Sequence, residues 1–285
     1  MSGETANGSF PDTAVKIMAA IVANAELGCD YYSQYLFLRQ WNFHGVPGMS
    51  AQEATLATAA QSAIEFSEDL DGNGVIDAEE GALVVVITRD GSAANLVSKY
   101  RPCGPVIVVS DSEDVLRGTM SRFAQIPVRV DSLDGQGKDV SDDLISLGVK
   151  HATENGWMVE GKHVVAVSGI NTASADEQGL VRFVRGLETH RPAEIYSNPT
   201  QLNYIKSLIT TAIDQKMLSS KELPHQRSTK IVCTMGPKCW DERTLAKLLD
   251  AGMNIARFNF SHGTHDAHFE VLERYRKVLK ETGSK

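Results

Sequence analysis

The chain has 285 residues, 42% of them hydrophobic, and a formal net charge of -8. That length accommodates two ordinary domains with a sizeable core. The acidic balance argues against a general nucleic-acid or polybasic membrane surface, and no apolar run is long enough to span a bilayer.

Residues 1–9, MSGETANGS, are small and polar and lack the apolar core of a signal peptide, so the expected location is cytoplasmic. Four scattered cysteines, Cys29, Cys103, Cys233 and Cys239, show no CxxC or zinc spacing and fit reduced thiols there. Pro11-Asp12-Thr13 opens a helix with Val15, Met18, Ile21, Val22 and Ala25 on one side, ending near Gly28. Residues 30–50, rich in aromatics, read as an irregular connector. Ser50 with Glu53 three residues on is a capping box for a helix through Ala54, Ala57, Ala60 and Ile64. Strands are expected at Leu83–Thr88, Pro105–Ser110, Ile126–Val130, His163–Ser168 and Leu180–Val184. Helices are expected at Ala93–Tyr100, Ser112–Phe123 and Ser141–Asn155. Helices alternating with short apolar strands mean a layered α/β domain, closed here by a hairpin-like pair.

Before the first of those strands, Asp69, Asp71, Asn73, Gly74, Asp77 and Glu80 match the D-x-[DN]-x-[DN]-G-x5-E loop at every defined position. In such a loop carboxylates at positions 1, 3 and 12 close round a calcium ion, and the glycine permits the sharp turn. An acidic surface turn is the competing reading, because a strand rather than a second helix follows Glu80 and no second loop pairs with this one. Residues 189–227 read as a linker with one helix, capped by Thr200.

Residues 229–265, TKIVCTMGPKCWDERTLAKLLDAGMNIARFNFSHGTH, carry the densest chemistry. Lys230–Thr234 reads as a strand stopped by Gly236-Pro237, and Asp241 caps a helix with Leu245, Leu248 and Leu249 on one side. Gly252 sits at its C-terminus, and Met253–Ser261 reads as a second strand, which makes a βαβ unit. Alternation puts Arg257, Asn259 and Ser261 on one face and Phe258 and Phe260 on the other. Arg257 and Ser261 would then lie on the order of 13 Å apart, which suits one guanidinium and two oxygen ligands along one small anion. His262 to His265 turn into a further helix, with Phe269, Leu272, Tyr275 and Leu279 at core spacing and an N-terminus suited to phosphate. Pattern alone equally allows a surface arginine and ordinary loop hydrogen-bonders.

The runs TKI-x-CT-x-GP and AR-x-NFSHGTH resemble the opening barrel segment of the pyruvate kinase family, with Phe258 where Leu is usual and Lys238-Cys239 where Ala-Ser is common. SGETA-x-G with its following helix resembles the last barrel loop and helix of that family. Ser98–Pro102 (SKYRP), PVIVVS, and Glu160-Gly161-Lys162 before VVAVSG resemble its C-terminal regulatory domain. The resemblance implies an α/β protein: incomplete (β/α)8 barrel pieces flanking a complete three-layer α/β regulatory domain. The divisions are 1–49, last barrel loop and helix plus connector; 50–188, regulatory domain with the calcium-loop-like insert at 69–80; 189–227, linker; and 228–285, the first two strands and helices of a second barrel.

By the same resemblance the parent reaction is the glycolytic transfer of a phosphoryl group from phosphoenolpyruvate to ADP, giving pyruvate and ATP, with magnesium and potassium as cofactors. Arg257 would contact the transferring phosphoryl group, Asn259 and Ser261 would ligate potassium, and His262 would lie near the nucleotide. A homo-oligomer, a tetramer in the family, is implied. The effector loop of the family falls at Thr88-Arg89-Asp90-Gly91-Ser92, where Thr88, Gly91 and Ser92 can bond phosphate oxygens. Asp90 there repels phosphate, and Asn171–Gln178 lacks a Gly-rich lid pattern, so sugar-bisphosphate activation is not expected. The end of one barrel precedes the start of another, an order expected of a piece spanning two tandem copies. Residues 12–28 are then expected to dock beside Lys230–Thr234 and Leu245–Ala251, since a closed barrel sets its last helix next to its first strand. Most of the active site is missing, and negligible turnover is expected. The rival reading is a non-catalytic regulatory or oligomerisation module carrying a calcium loop.

Overall fold

The computed structural model describes residues 1–43, 48–67, 81–134, 138–158, 162–169, 174–176, 178–185 and 227–283. The calcium-loop motif at 69–80 and the linker helix capped by Thr200 lie outside these residues. Among the described residues no helix is long and apolar enough to cross a membrane.

The larger unit is built round β1 (Leu83–Ile87), every residue of which is buried. It pairs in parallel with β2 (Val106–Ser110) and β4 (His163–Gly169). β3 (Gln125–Arg129) extends the sheet beyond β2, and β5 (Gly179–Arg185) closes it antiparallel to β4. The order β3-β2-β1-β4-β5 buries the central strands on both faces, which is why they read as continuous Val/Ile runs. Val84, Val86, Val106, Val108, Val165 and Val167 face α4 (Ala51–Glu65) and α5 (Ser92–Lys99). Leu83, Val85, Ile107, Val109 and Ala166 face α7 (Lys138–Glu154). α6 (Glu113–Thr119) lies between β2 and β3 in sequence and stops short of the expected Phe123, its chain continuing as single turns at Met120, Ser121 and Arg122. α7 approaches the sheet through Gly148, where an added Cβ would fall 2.8 Å from Val85 Cγ1. As expected, Ser50 caps α4, its Oγ accepting from the Glu53 amide at 3.1 Å. The Glu53 carboxylate does not complete the box: it accepts from Lys99 Nζ and Tyr100 Oη at 2.6 and 2.9 Å.

Two stretches differ from the sequence reading. Gly3–Ala6 forms one helical turn, α1, with Thr5 buried. The supposed connector contains a helix, α3 (Tyr31–Phe43). Asp30 starts it, its carboxylate accepting from the Ser33 amide at 2.9 Å, and Tyr35 anchors it in the core with Oη on Gln61 Oε1 at 2.9 Å. Aromatic residues occur on its exposed side too, Phe37 and Trp41 among them, and this masks the helical period.

The smaller unit holds β6 (Val232–Met235) and β7 (Ile255–Phe258), paired in parallel, with α8 (Glu242–Asp250) between them in sequence and α9 (His265–Thr282) after them. Asp241 caps α8, accepting from the Thr244 amide at 2.9 Å, and Gly252 takes φ of 102° after it. α2 (Pro11–Leu27) completes this core: Val15 and Ala19 pack with Ile231, Cys233, Met235, Leu245 and Leu248. The expected docking of residues 12–28 on this βαβ unit is therefore present. The Met1 amine donates to the Val232 carbonyl at 2.7 Å, and the Thr234 amide donates to the Met1 carbonyl at 3.0 Å. Because alternate peptide groups of a strand point to opposite edges, and Ile231 serves β7, residue 1 lies along the other edge of β6. In α9 the buried stripe is His268, Val271 and Val278, and Phe269 is exposed rather than inward.

The two units meet at Ser228–Lys230. The Ser228 and Thr229 amides donate to the Glu26 carboxylate at 2.8 and 2.6 Å, and the Ala124 amide donates to the Ser228 carbonyl at 3.0 Å. Lys230 Nζ donates to the Gln125 carbonyl at 3.0 Å.

Candidate functional site

β7 positions Arg257 opposite Thr234 in the ladder, and Arg257 Nη1 donates to Thr234 Oγ1 at 3.0 Å. The residue is exposed, and among the described residues no carboxylate forms an ion pair with it. Phe258 points the other way, into the core of the smaller unit.

The strand ends at Phe258, so the alternation expected as far as Ser261 stops after Arg257. Among the described residues β7 pairs only with β6, and local side-chain bonding takes over from the ladder. Asn259 Oδ1 accepts from the Ser261 amide at 3.3 Å, and the His262 amide donates to the Asn259 carbonyl at 3.2 Å. Asn259, Ser261 and His262 thus follow Arg257 on one turn rather than along an extended edge. Phe260, expected on the same face as Phe258, is instead 60% exposed and stacks on His265, rings 4.9 Å apart and 4° from parallel. Gly263 takes φ of 79°, and Thr264 caps α9 by accepting from the Ala267 amide at 3.2 Å.

The residue that fixes this turn is one the sequence reading passed over. His268 is 4% exposed, and its Nε2–H donates to the His262 carbonyl at 2.7 Å. Its ring lies edge-on to those of Trp240, Phe258 and Phe260. The available signal was its spacing: it stands one helical turn before Val271 on the buried stripe.

The donor set meets the needs of the cofactors that the sequence implies only in part. Asn259 and Ser261 offer neutral oxygens, the right type for potassium, but only two of the several ligands such an ion needs. Among the described residues no three His, Cys, Asp or Glu side chains converge on a metal-sized site, so these residues alone form no magnesium cage. The four cysteines are free, and burial raises each thiol pKa, that of Cys233 to about 11, which leaves them poor nucleophiles.

The second candidate site, the loop after β1, is occupied from within. Asp176 Oδ1 accepts from Thr88 Oγ1 at 2.5 Å, Ser92 Oγ at 3.1 Å and the Ala93 amide at 3.1 Å. Its Oδ2 accepts from the Arg89 amide at 2.6 Å, the Asp90 amide at 3.0 Å and Ser174 Oγ at 2.6 Å. Gly91, at φ of 84°, turns its amide to Thr88 Oγ1 instead, at 2.9 Å. Burial alone would raise the Asp176 pKa; the Ser174 and Thr88 hydroxyls and the Asp90 and Ala93 amides outweigh it and hold the carboxyl well below the usual range.

Comparison with known proteins covers the regions in which both sites lie. Residues 75–184 match the family model for the pyruvate kinase alpha/beta domain, and residues 226–285 match that for the pyruvate kinase barrel domain. A pyruvate kinase of Dictyostelium discoideum is 31% identical over 173 residues, 60% of this chain and 30% of that protein. One of Eimeria tenella is 54% identical over 57 residues, 20% of this chain and 11% of that protein. The solved structure of Cryptosporidium parvum pyruvate kinase in complex with ADP superposes with a TM-score of 0.51 at 29% identity, covering 65% of this chain and 33% of that one. The chain spans about a third or less of the length of these relatives. The two matched domains together take up more than half of it, and the chain belongs to the pyruvate kinase family, of which it carries the alpha/beta domain and part of the barrel.

Proposed function

We propose that this chain supplies one wall of a phosphotransferase site that passes a phosphoryl group from phosphoenolpyruvate to ADP. The observation that carries the reading is Arg257: an exposed guanidinium held by a neutral hydroxyl and left without a carboxylate partner among the described residues. An arginine so held keeps its full charge and its remaining N–H groups for an incoming phosphate. Asn259 and Ser261 on the following turn would give potassium two oxygen ligands, and His262 would lie towards the nucleotide. Magnesium, when bound, would neutralise the phosphates, held by carboxylates other than these residues. What these residues do themselves is orient one anion and stabilise its charge. The order of the pieces, a barrel's end before a barrel's start, supports a chain drawn from two tandem copies.

A lactate dehydrogenase-coupled assay tests the reading. The chain alone should produce negligible pyruvate. In a longer protein with the whole barrel, Arg257→Gln should lower the rate by ~100-fold or more, the scale of losing a charge-stabilising donor. Full activity in that variant, or rapid turnover by the chain alone, refutes it. The module reading is favoured by one observation: the five-stranded domain has a core on each face of its sheet, whereas the smaller unit has two strands among the described residues. A chain that binds no phosphoenolpyruvate but assembles into oligomers through the larger domain would select that reading.

A further inference from the structure

We propose that the loop after β1 is an anion seat whose resident ligand is the carboxylate of Asp176, so that phosphate and phosphate monoesters enter only when Asp176 is withdrawn. The inference stands on the larger domain alone and does not depend on the phosphotransferase reading.

The seat is built for an anion. Three hydroxyls, of Thr88, Ser92 and Ser174, and three backbone amides, of Arg89, Asp90 and Ala93, converge on two oxygens. Thr88 is fully buried, and Ala93 stands in the first turn of α5, where the helix dipole favours negative charge. The donors are neutral. Arg89, the cation of the loop, turns its guanidinium away to Asp134 at 2.7 Å and Asp111 at 3.9 Å. A neutral cradle matches the single charge of a carboxylate better than the double charge of a phosphate monoester.

The occupant is tethered firmly. The Ala175 amide donates to the Ile87 carbonyl at 2.9 Å, at the end of β1, and the Gln52 side-chain amide donates to the Asp176 carbonyl. A free ligand must therefore displace an intramolecular competitor at high effective concentration. Asp90, whose carboxylate accepts from the Ser92 amide at 2.7 Å, removes one further donor and adds a second negative charge beside the opening.

Thermal melting of the whole chain in rising acetate or inorganic phosphate tests this, with wild type, Asp176→Ala and Asp176→Asn compared. Asp176→Ala should melt lower than wild type and recover saturably, by roughly 3 °C when acetate reaches ten times its Kd. Wild type should not move in acetate, and calorimetry with phosphate should show for Asp176→Ala a binding event that wild type lacks. Asp176→Asn keeps the seat filled, so its melt should be lowered but insensitive to acetate. If Asp176→Ala folds only in acetate, that rescue supports the proposal equally. Equal shifts in wild type and Asp176→Ala overturn it. So does an Asp176→Ala protein that neither anion stabilises or rescues.

Discussion

Lys230 sits where the smaller unit meets β3, its ammonium on the Gln125 carbonyl at 3.0 Å. Burial, and next the neighbouring Arg227, lower its pKa from 10.5 to about 8, while Glu26 pulls the other way. A lysine whose folded pKa lies below its unfolded value binds its proton more weakly in the native state. Between about pH 8 and 10.5 the unfolded chain therefore holds more protons, and stability rises with pH across that window. Below it the amine is charged in both states, and the native state carries the whole cost of burying it, ~3 kcal/mol at ~1.4 kcal/mol per tenfold in proton affinity. Lys230→Met keeps the stem and removes the charge, but forfeits the bond to Gln125, worth ~1–2 kcal/mol. The variant should be more stable than wild type by ~1–2 kcal/mol at pH 7, with the advantage gone or reversed at pH 10.5. Urea unfolding of both proteins at the two pH values measures this. A wild-type midpoint that moves with pH no more than that of Lys230→Met would show that the amine is not buried in the folded chain, and the junction between the units would need redrawing.

Three other substitutions probe the frame of the site. Gly148→Val should lower stability by ~1–3 kcal/mol in urea titration, because a Cβ there meets Val85 Cγ1 at 2.8 Å and α7 must lift from the sheet. His268→Leu keeps the apolar packing but leaves the His262 carbonyl unpaired; a loss of ~1–3 kcal/mol and faster amide exchange at His262 and Ala267 are expected, with β1 unaffected. Glu26→Ala strips the acceptors from the Ser228 and Thr229 amides, so limited proteolysis should open the chain near Thr229 before it cuts the larger domain, and an unchanged cleavage order would count against this clasp.

What the sequence disclosed and what it hid divide along the range of the interactions. β1, β2 and β4 were legible because a strand buried on both faces needs apolar residues at every position, as 84–87 and 106–109 show. The caps at Ser50 and Asp241 were legible because acceptor and amide stand three residues apart. α3 was not, because Phe37 and Trp41 on its open side erase the contrast between faces. The end of β7 was not, because the pattern of residues 253–261 alternates through to Ser261, and what ends the strand is an asparagine side chain competing with a ladder that has, among the described residues, a single partner strand. Phe269 was assigned inward on spacing alone, although His268 and Val271 set the buried stripe one position earlier. Asp176 could not be found at all by local pattern, since Thr88, its hydrogen-bond partner, lies 88 residues away.

The two anion-handling places of this chain are in opposite states, and the difference is one of stoichiometry. Around Asp176 six donors meet one carboxylate, and the charge is satisfied within the fold. At Arg257 a cation meets one neutral hydroxyl, and its charge is unanswered among the described residues. A satisfied seat rigidifies: it binds α5, β1 and the 174–176 loop into one body, and opening it costs the desolvation of every donor at once. An unsatisfied arginine does the reverse. It gains most of its pairing energy only when a ligand arrives, which is the condition for binding energy to be spent on the ligand rather than on the fold. A phosphorylated molecule offered to this protein should therefore go to the turn after β7 before the loop after β1. In the phosphate titration proposed above, the Asp176→Ala variant should gain a second binding event that Arg257→Gln leaves intact. Loss of that event in the double variant would mean that the two places are not independent, and that the contrast between them is only apparent.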